Sequence, residues 1–339
     1  MSVTRVALIG FGRIGRNLFR ILYRRNDIRV AAICDVADPA ALEYLLRFDT
    51  IQGRFPDEVS VRDSKLYTVG REVPIFNDQS GDPMPWKDLG IDVVIAATAR
   101  PKGRAELDKH LKWGAERVIL CTPPADPPDA TVVLGVNGEV LRSEHQIIAA
   151  ASCTANCAAP VVKILDEAFG IQRAFLSTIH AYTNKHRLAD VPAEDKRRGR
   201  AAAENIIPQE TDSAAVIANL LPRMAGKISG SAMNVPVPDG SVVDLVCWHD
   251  REVTTTAVNE VMRTAIASNW QGILDYEDDP VVSSDILRQP FSGTYDSLAT
   301  MAMGNVSKTL TWFDNGWGYS HRVVELIQRV IDLDRKEAA

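Results

Sequence analysis

The amino-acid sequence predicts an α/β protein: a Rossmann, doubly wound parallel sheet, plus an α+β catalytic domain with a mainly antiparallel sheet. Three observations predict this class. A strand-like run leads into a Gly-x-Gly-x-x-Gly pattern at 10–15, and short apolar runs alternate with helix-like segments as far as 147–150. After Cys153 the runs alternate apolar and polar residues instead. The first two features are typical of parallel sheets covered by helices, and the third of antiparallel sheets with one solvated face.

The first elements provide the context that a dinucleotide-binding fingerprint requires. An apolar strand over 3–10 runs into the glycine pattern at 10–15, and a helix-like stretch, 17–25, follows. A second strand, 28–34, ends at Asp35, which comes 20 positions after the last glycine of the pattern. Strand, glycine turn, helix, strand and acid in this order predict a dinucleotide site at the start of the chain.

The residues of the fingerprint have separate tasks. Gly10 makes the tight turn, Gly12 lets the backbone approach the pyrophosphate, and Gly15 lets the helix pack on the sheet. The helix N-terminus presents N–H groups to the anion. The carboxylate of Asp35 accepts hydrogen bonds from both ribose hydroxyls but repels a 2′-phosphate, so we expect NAD in preference to NADP.

The same patterns predict the remaining elements. Further strands of the parallel sheet are predicted at 92–98, 117–121 and 131–136, and one helix is predicted at 103–113. Strands of the antiparallel sheet are predicted at 174–183, 231–237, 241–248 and 307–313. Helices are predicted at 201–205, 213–221 and 318–334. The last of these helices carries an apolar stripe at helical spacing, which indicates a core-facing side.

Cys153 and His180 are candidates for covalent catalysis. Cys153 follows the strand-like run 147–150 and precedes 154–165, whose residues could begin a helix; a thiol at a helix N-terminus is stabilised as thiolate. His180 lies in a strand-like segment that could bring an imidazole beside this thiol as its proton-transfer partner. The alternative is structural, because free cysteines are often buried and a lone histidine usually serves packing. Pro160 predicts either a kink or a helix that begins later than Cys153.

Composition excludes several classes of protein. The 339 residues exceed the usual size of one core, which favours two domains. With 46% hydrophobic and 24% charged residues and no apolar run of about eighteen, we expect neither disorder nor a membrane protein. A net charge of −6 disfavours nucleic-acid binding despite a basic cluster at 196–200. Residues 1–5 run into a strand without a signal-peptide pattern, so the cytoplasm is the expected compartment.

The five cysteines do not form a recognisable framework. Their number is odd, and only Cys153 and Cys157 lie close together in the sequence. This spacing resembles neither a disulfide scaffold nor a Cys-x-x-Cys metal site, so no metal is expected. Cys157, one helical turn after Cys153, is expected to be a structural thiol.

Five motifs resemble those of the glyceraldehyde-3-phosphate dehydrogenase family, and the resemblance runs along nearly the whole chain. They lie at 10–16, 152–157, 179–184, 197–203 and 312–320. Other stretches resemble the erythrose-4-phosphate dehydrogenase branch, namely 85–90, 130–137 and 141–145. The resemblance implies an NAD-binding domain over 1–152 that is completed by a C-terminal helix, 318–339, a catalytic domain over 153–317, and a homotetramer.

The resemblance also implies a reaction. The Cys153 thiolate adds to the aldehyde of an aldose phosphate such as glyceraldehyde 3-phosphate, His180 assists the proton transfers, and the thiohemiacetal gives hydride to NAD. Phosphate then releases the thioester as an acyl phosphate. The alternative is release by water as a free acid, the usual outcome for erythrose-4-phosphate. An alternative of another class is a non-catalytic regulatory or nucleic-acid-binding paralogue, which the intact nucleophile, histidine and fingerprint disfavour.

Site residues follow from the same resemblance. Those implied to bind the cofactor are Gly10, Phe11, Gly12, Arg13, Ile14, Gly15, Asp35, Thr98, Asn315 and Tyr319. Asn315 is expected to hold the nicotinamide carboxamide. Those implied to bind the substrate or phosphate are Ser152, Thr154, Thr183, Arg198, Thr211, Asp212 and Asn234.

Two departures from the family pattern fall on the implied anion sites. Asn234 stands in Met-Asn-Val-Pro where the family usually has Phe-Arg-Val-Pro, and Asp212 follows Thr211 where the family usually has glycine. Together they predict weaker phosphate handling, unless Asp212 points to solvent or pairs with a lysine or an arginine. Lys185 could restore one positive charge, although a solvated lysine on a loop is commoner.

Overall fold

The computed structural model describes residues 3–77, 82–100 and 102–337. Within that description the chain forms two compact units, each built on its own sheet. The first unit takes in 1–132, 139–151 and 320–339, and the second takes in 133–138 and 152–319. None of the helices in the described residues combines the length and the apolar character that crossing a membrane would need.

The first unit holds eleven strands and four complete helices in its described residues. The strands are β1 (Thr4–Ile9), β2 (Ile28–Asp35), β3 (Phe48–Asp49), β4 (Gly53–Arg54), β5 (Val59–Arg62), β6 (Lys65–Thr68), β7 (Arg71–Asn77), β8 (Val93–Ala96), β9 (Arg117–Leu120), β10 (Ala130–Thr131) and β11 (Ile147–Ala149). The helices are α1 (Arg13–Leu22), α2 (Pro39–Arg47), α3 (Trp86–Leu89) and α4 (Arg104–Lys112).

The main sheet of this unit is doubly wound. Its strand order is β10-β11-β9-β8-β1-β2-β7-β6-β5, and the pairs from β10 to β7 are parallel. The chain passes from β1 to β2 on one side and later returns to β8 on the other, so the winding reverses between β1 and β8. In such sheets ligands bind beyond the carboxyl ends of the strands at this reversal. Gly10 follows β1 at that point.

The second unit is a mixed sheet covered by helices. Its elements are α5 (Cys153–Phe169), β12 (Arg173–Ala181), β13 (Ile207–Gln209), α6 (Ser213–Leu220), β14 (Ile228–Val235), β15 (Ser241–Trp248), α7 (Thr255–Ala267), β16 (Leu274–Glu277), β17 (Gly293–Met303) and β18 (Val306–Phe313). The strand order is β13-β14-β12-β15-β18-β17-β16, and only the β12–β14 and β16–β17 pairs among these are parallel. The predicted fold class is therefore confirmed.

The two faces of this second sheet differ. Buried side chains such as Leu176 and Leu245 alternate along β12 and β15 with more exposed ones. The strand register places Phe175 and Met301 on the other face, together with Met233 and Met303, and all four are exposed. We call this surface the exposed sheet face.

The last helix, α8 (Trp317–Glu337), begins in the second unit and continues in the first. Its residues up to Tyr319 belong to the second unit, and those from Ser320 belong to the first. Near the C-terminal end of α8, the carboxylate of Asp334 accepts hydrogen bonds from Nη1 and Nη2 of Arg117, both at 2.6 Å. This pair connects the helix to β9 within the first unit. A bidentate, charge-assisted pair of this kind fixes the orientation of both groups.

Three predictions about local structure require correction. The predicted strand at 131–136 ends at Thr131, because 133–138 forms a turn in which the side-chain oxygen of Asn137 accepts the Val133 N–H at 2.9 Å. The predicted helix at 201–205 is a turn, since Ala201 forms an isolated β-bridge with Arg187 and its carbonyl then accepts the Glu204 N–H at 3.2 Å. Helix α5 contains Pro160 and begins at Cys153, not later.

Candidate active site

The predicted nucleophile is the first residue of a helix. Ser152 is the N-cap of α5, and its Oγ accepts a hydrogen bond from the backbone N–H of Ala155 at 3.1 Å. Cys153 therefore lies at the N-terminus of α5, which is the positive end of the helix dipole. Cys153 is half-buried, whereas Cys157 is fully buried, with its Sγ 3.7 Å from the carbonyl oxygen of Thr311. Cys157 therefore has the surroundings of a structural thiol.

A histidine faces this thiol from the end of β12. The Nε2 atom of His180 lies 3.6 Å from the Sγ of Cys153, and its Nδ1 lies 2.6 Å from the carbonyl oxygen of Ala181. A carbonyl oxygen only accepts, so Nδ1 carries the proton and Nε2 is the accepting nitrogen of the neutral ring. The ring also packs edge-on against Phe313. Backbone and packing thus hold the imidazole as a proton acceptor for the thiol.

The surroundings of the Cys153 sulfur favour the neutral thiol. Burial raises the pKa of Cys153 to about 11, and the carboxylate of Asp239 acts in the same direction, while hydrogen bonds from Thr154 oppose both. The helix N-terminus is expected to favour the thiolate, and the loss of water around the sulfur acts against it. A proton must leave the sulfur as it attacks, and His180 is the base in position to take it.

A cluster of polar side chains lies beyond the end of β12. The Nδ1 atom of His186 is 3.1 Å from the backbone nitrogen of Thr183 and 3.2 Å from its Oγ1. On the other side of the ring, Nε2 lies 2.8 Å from the side-chain nitrogen of Gln209. Gln209 is the last residue of β13. Thr183 was predicted to bind the substrate anion, so this cluster joins that site to two residues that the sequence did not single out.

Asn234 stands next to the candidate catalytic histidine, His180. The parallel register of β12 and β14 pairs it with His180, and it is buried. Its amide nitrogen donates to the carbonyl oxygens of His180 and Ala181, both at 3.3 Å. These hydrogen bonds hold the end of β12, so the amide hydrogens point to the backbone.

Three predicted anion ligands, Arg198, Thr211 and Asp212, are more exposed than Asn234. The guanidinium of Arg198 is 3.3 Å from the carboxylate of Asp195. The Thr211 hydroxyl donates to the Ser213 Oγ at 3.0 Å. Asp212 precedes α6, is exposed, and forms no ion pair with any residue that the structure describes. Of the alternatives for Asp212, the structure shows a side chain at the surface rather than a paired carboxylate.

The glycine turn of the first unit has the shape that a dinucleotide requires. Gly10 has a φ of +90°, and a Cβ there would lie 3.0 Å from the backbone of Ala97 and 3.1 Å from Thr98. A Cβ at Gly15 would lie 2.1 Å from the Gly10 carbonyl oxygen, so only glycine lets α1 approach β1. A Cβ at Gly12 would meet no atom within 4 Å. The open space above the helix N-terminus fits a pyrophosphate.

The acid of the fingerprint supports the same turn. One carboxylate oxygen of Asp35 accepts the backbone N–H of Phe11 at 2.6 Å, and the other accepts that of Ala37 at 2.9 Å. The ring of Phe11 is buried, while Arg13 and Ile14 form the partly exposed first turn of α1. The carboxylate is therefore fixed at the end of β2, where a ribose is expected.

The two remaining predicted cofactor ligands lie near the end of the second unit. The side-chain oxygen of Asn315 accepts the Ser241 hydroxyl at 3.0 Å, and its backbone N–H donates to Asp239 at 3.2 Å. These contacts fix the amide plane of Asn315. Tyr319, in the first turn of α8, is buried. Within the described residues there is no cluster of three or more histidine, cysteine or acidic side chains that could hold a metal ion.

A dinucleotide-binding unit, and a unit that carries a paired thiol and imidazole, define an oxidoreductase that works through a cysteine. Residues 4–104 match the NAD binding domain of glyceraldehyde 3-phosphate dehydrogenase, and residues 152–315 match the C-terminal domain of that enzyme. The chain belongs to the glyceraldehyde-3-phosphate dehydrogenase family, and its cofactor is NAD. The resemblance seen in the sequence is thereby confirmed at the level of the family.

Relatives from several bacteria match over nearly their full length. The chain is 46% identical to glyceraldehyde-3-phosphate dehydrogenase 2 of Streptomyces avermitilis, over 95% of this chain and 97% of the relative. It is 43% identical to the glyceraldehyde-3-phosphate dehydrogenase of Geobacillus stearothermophilus, over 95% of this chain and 96% of that relative. It is 44% identical to the glyceraldehyde-3-phosphate dehydrogenase of Thermotoga maritima, over 98% of this chain and 100% of that relative. The resemblance to the erythrose-4-phosphate branch stays a prediction.

Four residues of the site were not found in the sequence. His186 reaches Thr183 and Gln209 reaches His186, while Asp239 and Ser241 reach Asn315. Each is a single polar residue in a loop or at a strand end, where no periodic pattern indicates its neighbours. The one available signal was proximity in sequence, because His186 follows Thr183 by three positions.

Proposed function

We propose that this chain oxidises glyceraldehyde 3-phosphate with NAD and inorganic phosphate, and releases an acyl phosphate. The observation that carries the proposal is the 3.6 Å approach of His180 Nε2 to Cys153 Sγ, with the tautomer of the imidazole fixed by Ala181. The relatives named as glyceraldehyde-3-phosphate dehydrogenases support the choice of substrate. The proposed domains are 1–152 with 318–339 for NAD and 153–317 for catalysis; 338–339 and the other undescribed residues lie outside the structure.

In the proposed mechanism His180 moves one proton in each half of the oxidation. As Sγ of Cys153 bonds to the aldehyde carbon, Nε2 takes the thiol proton and returns it to the developing alkoxide, giving a thiohemiacetal. Nε2 then takes the hydroxyl proton as the C–H hydride departs. NAD, when bound, supplies the hydride acceptor. The product is a thioester on Cys153.

Phosphate attack on the thioester carbon expels the Cys153 thiolate, which recovers a proton, and the acyl phosphate leaves. Arg198, Thr211, Ser152 and Thr154 are the proposed ligands of the anions, beside Thr183 and the loop that carries Asp212. Asp35 and the glycine turn would hold the adenosine and pyrophosphate, and Asn315 the carboxamide. These assignments extend the resemblance to single residues.

A second candidate is release of the thioester by water, as a free acid. It is favoured by Asn234, whose amide hydrogens are held by backbone carbonyls, and by the exposed carboxylate of Asp212. An asparagine in place of an arginine forfeits a charge-assisted hydrogen bond worth about 1.5–3 kcal/mol. The substrate of such an enzyme would be erythrose 4-phosphate or another aldehyde.

One experiment separates the two candidates. NADH formation from glyceraldehyde 3-phosphate and from erythrose 4-phosphate is followed by absorbance, with and without phosphate, in wild type, Cys153→Ser and Cys157→Ala. We expect a phosphate-dependent rate with glyceraldehyde 3-phosphate. Cys153→Ser should lose at least about a hundredfold, since a hydroxyl is a far weaker nucleophile. Cys157→Ala should stay within about threefold.

The results that would reject each candidate are distinct. A rate with either aldehyde that does not change with phosphate would reject phosphorolysis and favour hydrolysis. More than a hundredth of the wild-type rate in Cys153→Ser would reject the covalent mechanism. An absence of NADH with every aldehyde would favour the non-catalytic paralogue.

We also propose that the chain is a homotetramer of the cytoplasm. The exposed sheet face supports self-association, because it presents four large exposed apolar side chains on strands β12, β14 and β17. All five cysteines are free thiols, in keeping with a reducing compartment.

A further inference from the structure

A second histidine lies in the proposed anion site of this unit. His186 is half-buried on the loop after β12, and its ring stands between Thr183 and Gln209. It takes no part in the proton transfers described above, since those use His180. Its contacts nevertheless include the predicted substrate ligand Thr183 at both the backbone nitrogen and the hydroxyl.

The protonation state of His186 decides the direction of the hydrogen bond to Thr183. When Nδ1 is unprotonated it accepts from the Thr183 N–H at 3.1 Å, and the hydroxyl at 3.2 Å can only donate to it. When Nδ1 carries a proton it donates to Oγ1 or to the carbonyl oxygen of Thr183 at 3.3 Å. The hydroxyl hydrogen is then released from the imidazole and can be donated to an anion.

The surroundings of the His186 ring favour its neutral form. Burial lowers the pKa of His186, and the charges of His180 and Arg198 lower it further, while hydrogen bonds that the ring donates to the Thr183 carbonyl and to the Asn234 side chain raise it. Lys185 adds another positive charge next to it in the sequence. A phosphate among these groups would favour the imidazolium, because an opposite charge within about 4–6 Å stabilises the charged form.

Asn234 does not offer this interaction. Its amide hydrogens are directed at the carbonyl oxygens of His180 and Ala181. An anion held by Thr183 would therefore be next to the His186 imidazole, which becomes a donor at Nδ1 on protonation, whereas the Asn234 amide hydrogens are already donated to the backbone. A positive charge on that ring would also lie close to the charge an arginine at position 234 would have supplied.

We propose that His186 determines the specificity of this chain for a phosphate monoester: on binding it takes up a proton, turns the Thr183 hydroxyl towards the anion and places a positive charge beside it. The inference rests on the proposed function and names the residue through which that function selects its substrate. His186 is a positioning and specificity-determining residue, because it acts on the anion and not on the reacting carbon.

The test compares a phosphorylated and an unphosphorylated aldehyde in His186→Gln, which keeps a neutral hydrogen-bonding side chain. We expect the KM for glyceraldehyde 3-phosphate to rise about tenfold, the kcat to stay within about twofold, and the KM for D-glyceraldehyde to be unchanged. His145→Gln, at a half-buried histidine of the first unit, is the matched control and should alter none of these values.

The pH dependence supplies a readout that a purely structural role would not change. Since an imidazolium is lost as pH rises, the wild-type KM for the phosphorylated aldehyde should rise between pH 6 and pH 9 more steeply than in His186→Gln. His186→Lys keeps a charge across this range and should restore most of the lost affinity at pH 9. Equal melting temperatures of the variants confirm that they fold.

Two outcomes would overturn the inference. One is an unchanged KM for the phosphorylated aldehyde in His186→Gln, and the other is an equal rise for both aldehydes. If wild type forms no NADH, the proposed function fails, and the inference is tested by calorimetric titration with glycerol 3-phosphate, which has no aldehyde. Binding about tenfold weaker in His186→Gln than in wild type then sustains it, and equal binding or none rejects it.

Discussion

At the scale of single residues, Asp35 combines a structural and a selective task. Its carboxylate accepts the N–H groups of Phe11 and Ala37, which fixes it at the end of β2. The same fixed charge would stand beside the 2′-position of a bound ribose. A mutation to alanine therefore changes two properties at once, and only an isosteric change separates them.

We expect Asp35→Asn to relax the choice of cofactor while the turn is kept. The amide oxygen can still accept the Phe11 N–H, but the charge that repels a 2′-phosphate by about 1–4 kcal/mol at roughly 4 Å is lost. The ratio of kcat/KM for NAD over NADP should fall about tenfold or more. Asp35→Ala should also lower the melting temperature. Asp38→Asn, at the exposed N-cap of α2, serves as the control.

Equal catalytic efficiency with NAD and NADP in wild type would contradict this role of Asp35. So would an unchanged ratio in Asp35→Asn with full activity. The measurement needs steady-state rates at several concentrations of each cofactor, because the repulsion acts on binding.

At the scale of elements, two helices begin with the same cap but in different surroundings. The Ser152 Oγ accepts the Ala155 N–H at 3.1 Å at the start of α5, and the Thr254 Oγ1 accepts the Ala257 N–H at 3.1 Å at the start of α7. Loss of either hydroxyl leaves one helix N–H without its cap. Only Ser152 adjoins the nucleophile.

We expect Ser152→Ala and Thr254→Ala each to lower the free energy of unfolding by about 1 kcal/mol. Only Ser152→Ala should also raise the KM for phosphate, if this hydroxyl binds the anion as proposed. Urea unfolding and phosphate saturation curves of both variants provide the comparison. Identical phosphate constants in the two variants would show that Ser152 is a cap alone.

Elements with regular patterns could be predicted from the sequence. The predicted strand 241–248 coincides with β15 because its side chains alternate between a buried and a half-buried face. The paired thiol and imidazole could also be expected, since one begins a helix and the other ends a neighbouring strand. Helix α2 was missed, although Asp38 as N-cap and Pro39 at the first turn are start signals.

The parts that could not be predicted depend on contacts distant in sequence. The pKa of Cys153 follows from the packing around the sulfur, which no local pattern encodes. The turn at 201–205 has good helix formers, but Arg187 holds its first residue, Ala201, in a β-bridge. The position of Gln209 beside His186 likewise depends on how β13 pairs with β14.

At the scale of the whole molecule, the exposed sheet face predicts self-association. Phe175, Val246, Lys308 and Met301 stand opposite one another across four strands, and Phe175 is 54% exposed. Lys308 interrupts this row, but the exposed apolar side chains of Phe175, Met233, Met301 and Met303 on the same face gain free energy when they are covered.

We expect Phe175→Asp to weaken the assembly, because each copy would bury a carboxylate against an apolar partner. Sedimentation should give a wild-type mass of four chains of 37.2 kDa and a smaller mass for the variant. Val69→Asp, at a 68% exposed position of the first unit, is the control and should sediment like wild type. A monomeric wild type, or an unchanged mass in Phe175→Asp, would contradict the proposal.

The C-terminal helix has a consequence for synthesis on the ribosome. The first unit is encoded mostly before residue 152, but its residues from Ser320 onwards, including the Asp334 partner of Arg117, are translated last. While the second unit is being translated, the surface of the first unit that later contacts this helix stays uncovered. The Arg117 guanidinium, which is largely buried in the folded chain, lacks Asp334 during that time. Early chains are thus exposed to aggregation or chaperone capture for the time it takes to add more than half of the polypeptide.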